Sequence, residues 1–126
     1  MLGSEGNDSL FGQLGDDTLC GGAGDDFLSG NENNDLIDGS AGNDTIYGGE
    51  DNDTLLGCEG DDFLSGDLGN DSLIGSLGND TFVLGSSQGF DIIADFTLNQ
   101  DAIALGASHF CNQYKYSDNC LAKLMA

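Results

Sequence analysis

The chain has 126 residues and carries 23 Asp and Glu against 2 Lys and Arg, a formal net charge of -21, with 21 glycines and no proline. That length suits one small domain rather than a typical two-domain enzyme. The charge argues against nucleic acid, whose phosphates nothing here could neutralise, and against an anionic membrane surface, while so much glycine disfavours long helices.

The N-terminus, Met1-Leu2-Gly3-Ser4-Glu5-Gly6, has neither a basic run nor an apolar stretch, so no cleavable signal peptide is visible. No run of 18 apolar residues occurs anywhere, so membrane insertion through a helix is not expected. From Gly3 to Val83 the chain divides into nine consecutive blocks of nine residues without insertion or deletion: GSEGNDSLF, GQLGDDTLC, GGAGDDFLS, GNENNDLID, GSAGNDTIY, GGEDNDTLL, GCEGDDFLS, GDLGNDSLI and GSLGNDTFV. Position one is always Gly. Position four is Gly6, Gly15, Gly24, Gly42, Gly60, Gly69 and Gly78, interrupted only by Asn33 and Asp51. Position five is always Asn or Asp. Position six is always Asp: Asp8, Asp17, Asp26, Asp35, Asp44, Asp53, Asp62, Asp71 and Asp80. Position eight is apolar throughout: Leu10, Leu19, Leu28, Ile37, Ile46, Leu55, Leu64, Leu73 and Phe82.

Within a block, the first six residues are expected to turn and the last three to form a short strand. Glycines at positions one and four supply unusual backbone conformations, and Asn or Asp at position five tolerates the left-handed region. A strand that offers one large apolar side chain to the interior cannot bury it alone, and stacking copies produces a continuous ladder. The repeated motif G-G-x-G-x-D-x-U-x, with U apolar, resembles the RTX (repeats-in-toxin) calcium-binding nonapeptide repeat, over residues 3–83. The resemblance implies an all-β fold, a right-handed parallel β-roll, with odd blocks in one sheet and even blocks in the other. It implies calcium ions between successive turns on each edge, held by the position-six aspartates and by loop carbonyls such as those of the position-four glycines. The chain departs from the pattern at position two, where only Gly22 and Gly49 keep the second glycine, and at Asn33 and Asp51, whose turns are expected to be weaker.

The charge argues for a cation independently of that resemblance. Residues 3–83 hold 15 Asp and 4 Glu and no Lys or Arg, and stacked turns superpose like charges. A hard dication with oxygen ligands relieves this, and six to eight oxygens in flexible geometry suit calcium better than magnesium. Five odd and four even turns leave about seven gaps for ions.

After Val83, Gly89–Phe96 and Gln100–Leu105 read as further strands with an apolar alternation. The run D-x-I-x-D-F and then D-x-I-x-L resembles the segment that commonly succeeds RTX arrays in secreted bacterial proteins. Residues 1–83 are thus expected to form the roll. Residues 84–126 are expected to form a C-terminal cap that also suits an uncleaved type I secretion signal, with Asp91, Asp95 and Asp101 candidates for a terminal calcium site. The N-terminal end has no comparable cap, which suggests a module cut from a longer chain or a face covered by a partner such as a second copy, and the outward residues Phe11, Phe27, Tyr47, Phe63 and Val83 of the odd sheet offer either ordinary cross-strand packing or a docking surface for the C-terminal segment or a second copy.

Other motifs weigh little. Gly85-Ser86-Ser87-Gln88-Gly89 matches G-x-S-x-G, but a roll leaves no room for the large α/β sheet that a nucleophile elbow needs. His109 is the only histidine. Five N-D-[ST] matches, at Asn7, Asn43, Asn52, Asn70 and Asn79, stem from the repeat itself. Cys20, Cys58, Cys111 and Cys120 lack zinc-finger spacing; four free thiols and a Cys111–Cys120 pair both fit. The expected function is calcium binding coupled to folding, in an extracellular, non-enzymatic protein. The alternatives are the C-terminal module of a larger secreted hydrolase or toxin, and a surface or self-assembly protein.

Overall fold

A computed structural model describes residues 1–84 and 89–105. It is built from strands alone: β1 (Leu2–Glu5), β2 (Ser9–Gln13), β3 (Thr18–Ala23), β4 (Phe27–Asn31), β5 (Leu36–Ala41), β6 (Thr45–Gly49), β7 (Thr54–Glu59), β8 (Phe63–Asp67), β9 (Ser72–Leu77), β10 (Thr81–Leu84), β11 (Ile92–Ile93) and β12 (Ala102–Leu105). They form two six-stranded parallel sheets, β1-β3-β5-β7-β9-β11 and β12-β10-β8-β6-β4-β2. The chain alternates between sheets at every turn, so two blocks complete one coil and strands from alternate blocks pair, as in a parallel β-roll. Equivalent residues are 18 apart: Leu19 stands opposite Ile37, Ile37 opposite Leu55, and Leu28 opposite Ile46. All nine position-eight side chains are buried and form the core. Each full burial contributes about 1.5–3 kcal/mol, which no single three-residue strand could realise.

The strands are longer than the block pattern suggests. They run through position eight into positions one and two of the next block, with positions eight and one facing inward and nine and two facing outward, as in Thr18–Ala23. The reason is glycine at position one. Without a side chain it continues the strand on the crowded interior side, and only positions three to six, or four to six after β1, β3, β5, β7 and β9, remain to turn the chain. The outward position-two residue takes φ between +70° and +116° in all nine blocks, at Ser4, Gln13, Gly22, Asn31, Ser40, Gly49, Cys58, Asp67 and Ser76. Most of these are not glycine and carry the cost of the left-handed region, about 1–2 kcal/mol each, against the parallel pairing on either side.

β11 and β12 extend each sheet by one strand, in register with β9 and β10. The phase of the repeat therefore continues beyond Val83 rather than ending there. Asp91 comes 20 residues after Asp71 and Asp101 comes 21 after Asp80, so short insertions are absorbed in the turns. Phe96 packs on Phe82 at 6.3 Å between ring centroids and covers the core at this end. His109, Cys111, Cys120, Ser86–Gln88 of the G-x-S-x-G match and the segment expected to carry a secretion signal lie outside the described residues.

Candidate metal centre

The turns stack along the two edges of the roll, and two side-chain ladders run along them in opposite directions. In the first, the position-six carboxylate reaches back one coil. Asp26 Oδ1 accepts from the Asp8 N–H, Asp44 from Asp26, Asp62 from Asp44 and Asp80 from Asp62, at 2.8–2.9 Å. On the other edge Asp35, Asp53 and Asp71 accept from Asp17, Asp35 and Asp53 at 2.7–2.8 Å. In the second, the position-five side chain reaches forward. Asn7 Oδ1 accepts from the Asp25 N–H, Asp25 from Asn43, Asn43 from Asp61 and Asp61 from Asn79. Asp16, Asn34 and Asn52 do likewise for Asn34, Asn52 and Asn70. Position five is thus an acceptor post rather than a left-handed residue, because none of its members has positive φ. The Asn residues of the N-D-[ST] matches at Asn7, Asn43 and Asn52 are spent in this ladder, and Asn70 accepts from Phe90.

The left-handed turn position is four. Gly6, Gly15, Gly24, Gly42, Gly60, Gly69 and Gly78 have φ of +100° to +129°, and Asn33 and Asp51 occupy the same region at +81° and +78°. Stacking leaves no room for a side chain at most of them: a Cβ on Gly42 would strike the Gly24 carbonyl oxygen, and one on Gly60 the Gly42 oxygen. The position-four carbonyls of one coil thus abut the next coil, in a row along each edge.

Position-one glycine has a different job from the one its composition suggests. None of these glycines has positive φ. Each faces the carboxylate of its own block; a Cβ on Gly48 would lie 2.5 Å from Asp53 Oδ2 and 2.8 Å from the Gly66 carbonyl oxygen. The missing side chain is the space in which the position-six carboxylate sits. The result is one inward oxygen per turn. The Oδ2 atoms of all nine position-six aspartates are buried and have no hydrogen-bond partner. Asp44, Asp71 and Asp80 are each only 1% exposed. An unpaired buried carboxylate oxygen is among the costliest groups a fold can hold.

The titration behaviour has the same origin. Burial, chiefly, pushes Asp44 up to about 6, Asp53 and Asp62 to about 7 and Asp71 to about 8, with neighbouring carboxylates adding to the rise and backbone N–H bonds opposing it. Asp35, Asp80 and Asp91 are raised from the same leading cause. A carboxyl whose folded pKa exceeds its unfolded value of 3.8 favours the fold fully below 3.8 and loses that contribution as pH rises through the folded pKa. The calcium-free chain should therefore show more strand signal by circular dichroism at pH 4–5 than at pH 8, and protons should compete with a cation. A strand signal that grows with pH in chelator would contradict the burial of these carboxylates.

The structure brings the nine position-six aspartates into two columns, one along each edge. Asn33 and Asp51, which replace the position-four glycine, are expected from the sequence to weaken their turns. In the structure Asn33 Oδ1 accepts from the Gly15 N–H at 2.8 Å, which offsets part of the cost of its left-handed backbone. Asp51 instead adds a charge that pushes Asp53 up. Asp51→Gly is expected to lower the calcium midpoint of folding more than Asn33→Gly; the reverse order in parallel titrations would remove this distinction.

Asp91 and Asp101, expected together with Asp95 at a terminal site, instead continue the two columns. The Asp71 N–H donates to Asp91 Oδ1 at 3.2 Å and the Asp80 N–H to Asp101 Oδ1 at 3.0 Å. Gly89-Phe90-Asp91 repeats G-x-D, and a Cβ on Gly89, at φ +113°, would strike the Gly69 carbonyl oxygen. Asn99, at φ +73°, takes the corresponding place ahead of Asp101. Asp95 does something else: its two oxygens accept the Gly75 and Ser76 N–H groups at 3.0 and 2.6 Å, clasping the final turn.

Among the described residues no three His, Cys, Asp or Glu side chains converge as a metal cluster. Any ion on these edges must combine carboxylates with backbone oxygens. That oxygen-only donor set, with nine buried unpartnered Oδ2 atoms and no Lys or Arg before Lys115, fits a hard dication such as calcium.

A family model described as the RTX calcium-binding nonapeptide repeat matches in four copies, over residues 1–28, 29–63 and 57–93. No curated protein and no solved structure matches the chain.

Proposed function

The chain belongs to the RTX calcium-binding nonapeptide repeat family, and on that premise we propose that it is a calcium-dependent folding module of a secreted protein, not an enzyme. Calcium ions occupy the gaps between successive turns on both edges. Asp8, Asp26, Asp44, Asp62 and Asp80 serve one edge, and Asp17, Asp35, Asp53 and Asp71 the other. Carbonyl oxygens of Gly6, Gly15, Gly24, Gly42, Gly60, Gly69 and Gly78 complete the shells. The nine repeats offer about seven gaps, and the Asp71–Asp91 and Asp80–Asp101 steps add one on each edge, so the total is about nine. The observation that carries this reading is the row of buried Oδ2 atoms without partners. A dication there converts the main electrostatic cost of the fold into its main support.

The chain's own residues do three things toward the ion. Position-one glycine makes room for the carboxylate, position six supplies it, and the position-five ladder holds successive turns at one spacing. The binding roll runs past the boundary expected at Val83, through β11 and β12 to Leu105. The RTX family is typical of secreted bacterial proteins, and a type I route is the proposed path of export. Secretion would couple folding to the change from low calcium inside the cell to high calcium outside.

Two substitutions separate coordination from simple charge reduction. Asp44 is buried, its Oδ1 accepts the Asp26 N–H and its own N–H donates to Asp62. Glu50 is exposed and removes the same charge when changed. Asp44→Ala should raise the calcium midpoint several-fold, because a lost charge-assisted hydrogen bond alone is worth about 1.5–3 kcal/mol. Glu50→Ala should leave it unchanged or lower it. Equal shifts in calcium titrations followed by circular dichroism would reject the ligand assignment.

A further inference from the structure

The outer face of the sheet formed by β2, β4, β6, β8, β10 and β12 differs from the edges in chemistry. In a chain of net charge -21, its strands contain a single charged residue, Asp67. Phe11, Phe27, Tyr47 and Phe63 form a ladder across four strands, with ring centroids 5.6–5.8 Å apart and planes tilted by 42–53°. The rings zigzag between positions seven and nine, each opposite a hydroxyl residue on the neighbouring strand: Phe11 against Ser29, Ser29 against Tyr47, Thr45 against Phe63. Tilted packing explains why the rings touch one another, but not why this face stays open: Phe11 is 46% and Phe27 36% exposed. Beyond the ladder the face flattens through Thr81 and Val83 to the exposed Ala102 and Ala104.

The described chain leaves the roll from this same sheet, at Leu105, the end of β12. Residues 106–126 contain every Lys of the protein, Lys115 and Lys123, against one acid, Asp118, whereas residues 1–105 contain 22 acids and no Lys or Arg. They also contain Phe110, Tyr114, Tyr116, Leu121, Leu124 and Met125. β2 and β12 are five strand spacings apart, about 24 Å, and 21 residues reach up to about 70 Å when extended. We propose that residues 106–126 are a strap that docks on the outer face of this sheet, its apolar side chains against the Phe11–Phe27–Tyr47–Phe63 ladder and its two lysines toward the acidic turns that border it. The opposite charge selects this segment over a second copy of the chain, which would bring one acidic border against another.

The chain itself supplies the assay, because a lysine-specific protease can cut only after Lys115 and Lys123. In saturating calcium, cleavage after Lys115 in the full chain should be at least about tenfold slower than in Phe27→Ser/Tyr47→Ser, since proteolysis follows the population of the open form. Leu36→Ser/Leu56→Ser, on the other sheet, should cleave at the parent rate. Circular dichroism of the same samples separates loss of the strap from failure of calcium to fold the roll, on which the assay rests. Parent cleavage as fast as in the calcium-free chain would overturn the proposal, as would equal rates for both double variants. Protection that rises with protein concentration together with a doubled mass would assign the face to a second copy instead. A second variant guards against a roll weakened by the aromatic changes. In Ser29→Cys, mild oxidation in calcium should join the introduced thiol to Cys111 or Cys120 within one chain. Capture of those thiols by Cys20 or Cys58 on the opposite face to the same extent, or their pairing only with each other, would defeat the docking.

Discussion

In excess chelator at neutral pH, the chain is expected to lose its strand spectrum, and added calcium to restore it in a steep transition. Residues 1–105 carry 22 acids and no Lys or Arg, so no salt bridge within them can relieve the repulsion. Folding without a cation also buries nine Oδ2 atoms without partners. Above pH 8 the carboxyls raised by burial, up to Asp71 at about 8, would have to ionise inside the roll. Against this stands the apolar ladder, whose contribution the conformational entropy of a glycine-rich chain largely consumes. Each occupied site adds RT ln(1 + [L]/Kd), about 2.7 kcal/mol at a hundredfold excess over Kd, so a few sites together match the whole stability of a typical domain. Because each coil contacts only its neighbours, filling one gap orders the turns that form the next, and the transition should be cooperative. Magnesium at the same concentration should fold the chain poorly, since it demands tight octahedral geometry and gives up water reluctantly. A strand spectrum unchanged in chelator would overturn the proposed coupling, and equal midpoints for the two ions would reduce it to charge screening.

The second large effect is expected at a glycine whose backbone is ordinary. Gly48→Ala places a methyl group 2.5 Å from Asp53 Oδ2 and 2.8 Å from the Gly66 carbonyl oxygen. Neither can yield cheaply. The carbonyl belongs to the next coil, and moving the Asp53 carboxylate would break its bond from the Asp35 N–H at 2.8 Å and withdraw an oxygen from the proposed site. Overpacking costs about 1–3 kcal/mol and an orphaned buried N–H about as much again, so Gly48→Ala should raise the calcium midpoint by more than tenfold or abolish folding. Gly15→Ala is the informative comparison. Gly15 has φ +100° and is the kind of glycine that usually resists substitution, yet a Cβ there meets nothing within 4 Å. Its cost is the left-handed backbone alone, about 1–2 kcal/mol. Gly12→Ala, in the same block as Gly15, would meet the Gly30 carbonyl oxygen at 2.7 Å and Asp17 Oδ2 at 2.8 Å, and so controls for distance from the centre of the roll. The order Gly48→Ala worst, Gly12→Ala next and Gly15→Ala mildest is expected in calcium titrations. If Gly15→Ala proved the most damaging, backbone conformation and not space for the carboxylate would govern the glycine pattern.

A period of nine, read from the chain alone, was enough to show that the blocks stack as a solenoid, while the two-block coil of a parallel β-roll came with the resemblance to the RTX repeat. In a solenoid every tertiary contact recurs at a constant sequence offset, here 18 residues, so one-dimensional periodicity is three-dimensional stacking. The same logic made the core legible, since the only large apolar side chain at a constant position, from Leu10 to Phe82, is the one that is buried. The two columns of aspartates came with the resemblance to the RTX repeat. Tertiary structure alone decided what each constant residue is for. Position-one glycine looks like a turn residue and is instead an absent side chain facing Asp Oδ2, because the crowding comes from a carboxylate five residues away and a carbonyl of the next coil. The left-handed residues are at positions two and four, and the non-glycine Asn33 among them is bonded by the Gly15 N–H of the preceding coil, a contact no local propensity records. Asp91 and Asp101 escaped the nine-residue frame because insertions of two and three residues break a sequence period, while parallel pairing to β9 and β10 restores the register in space. Hydrogen bonding between strands acts on position in the coil and not on residue number, so the fold could keep a ladder that the periodicity had already lost.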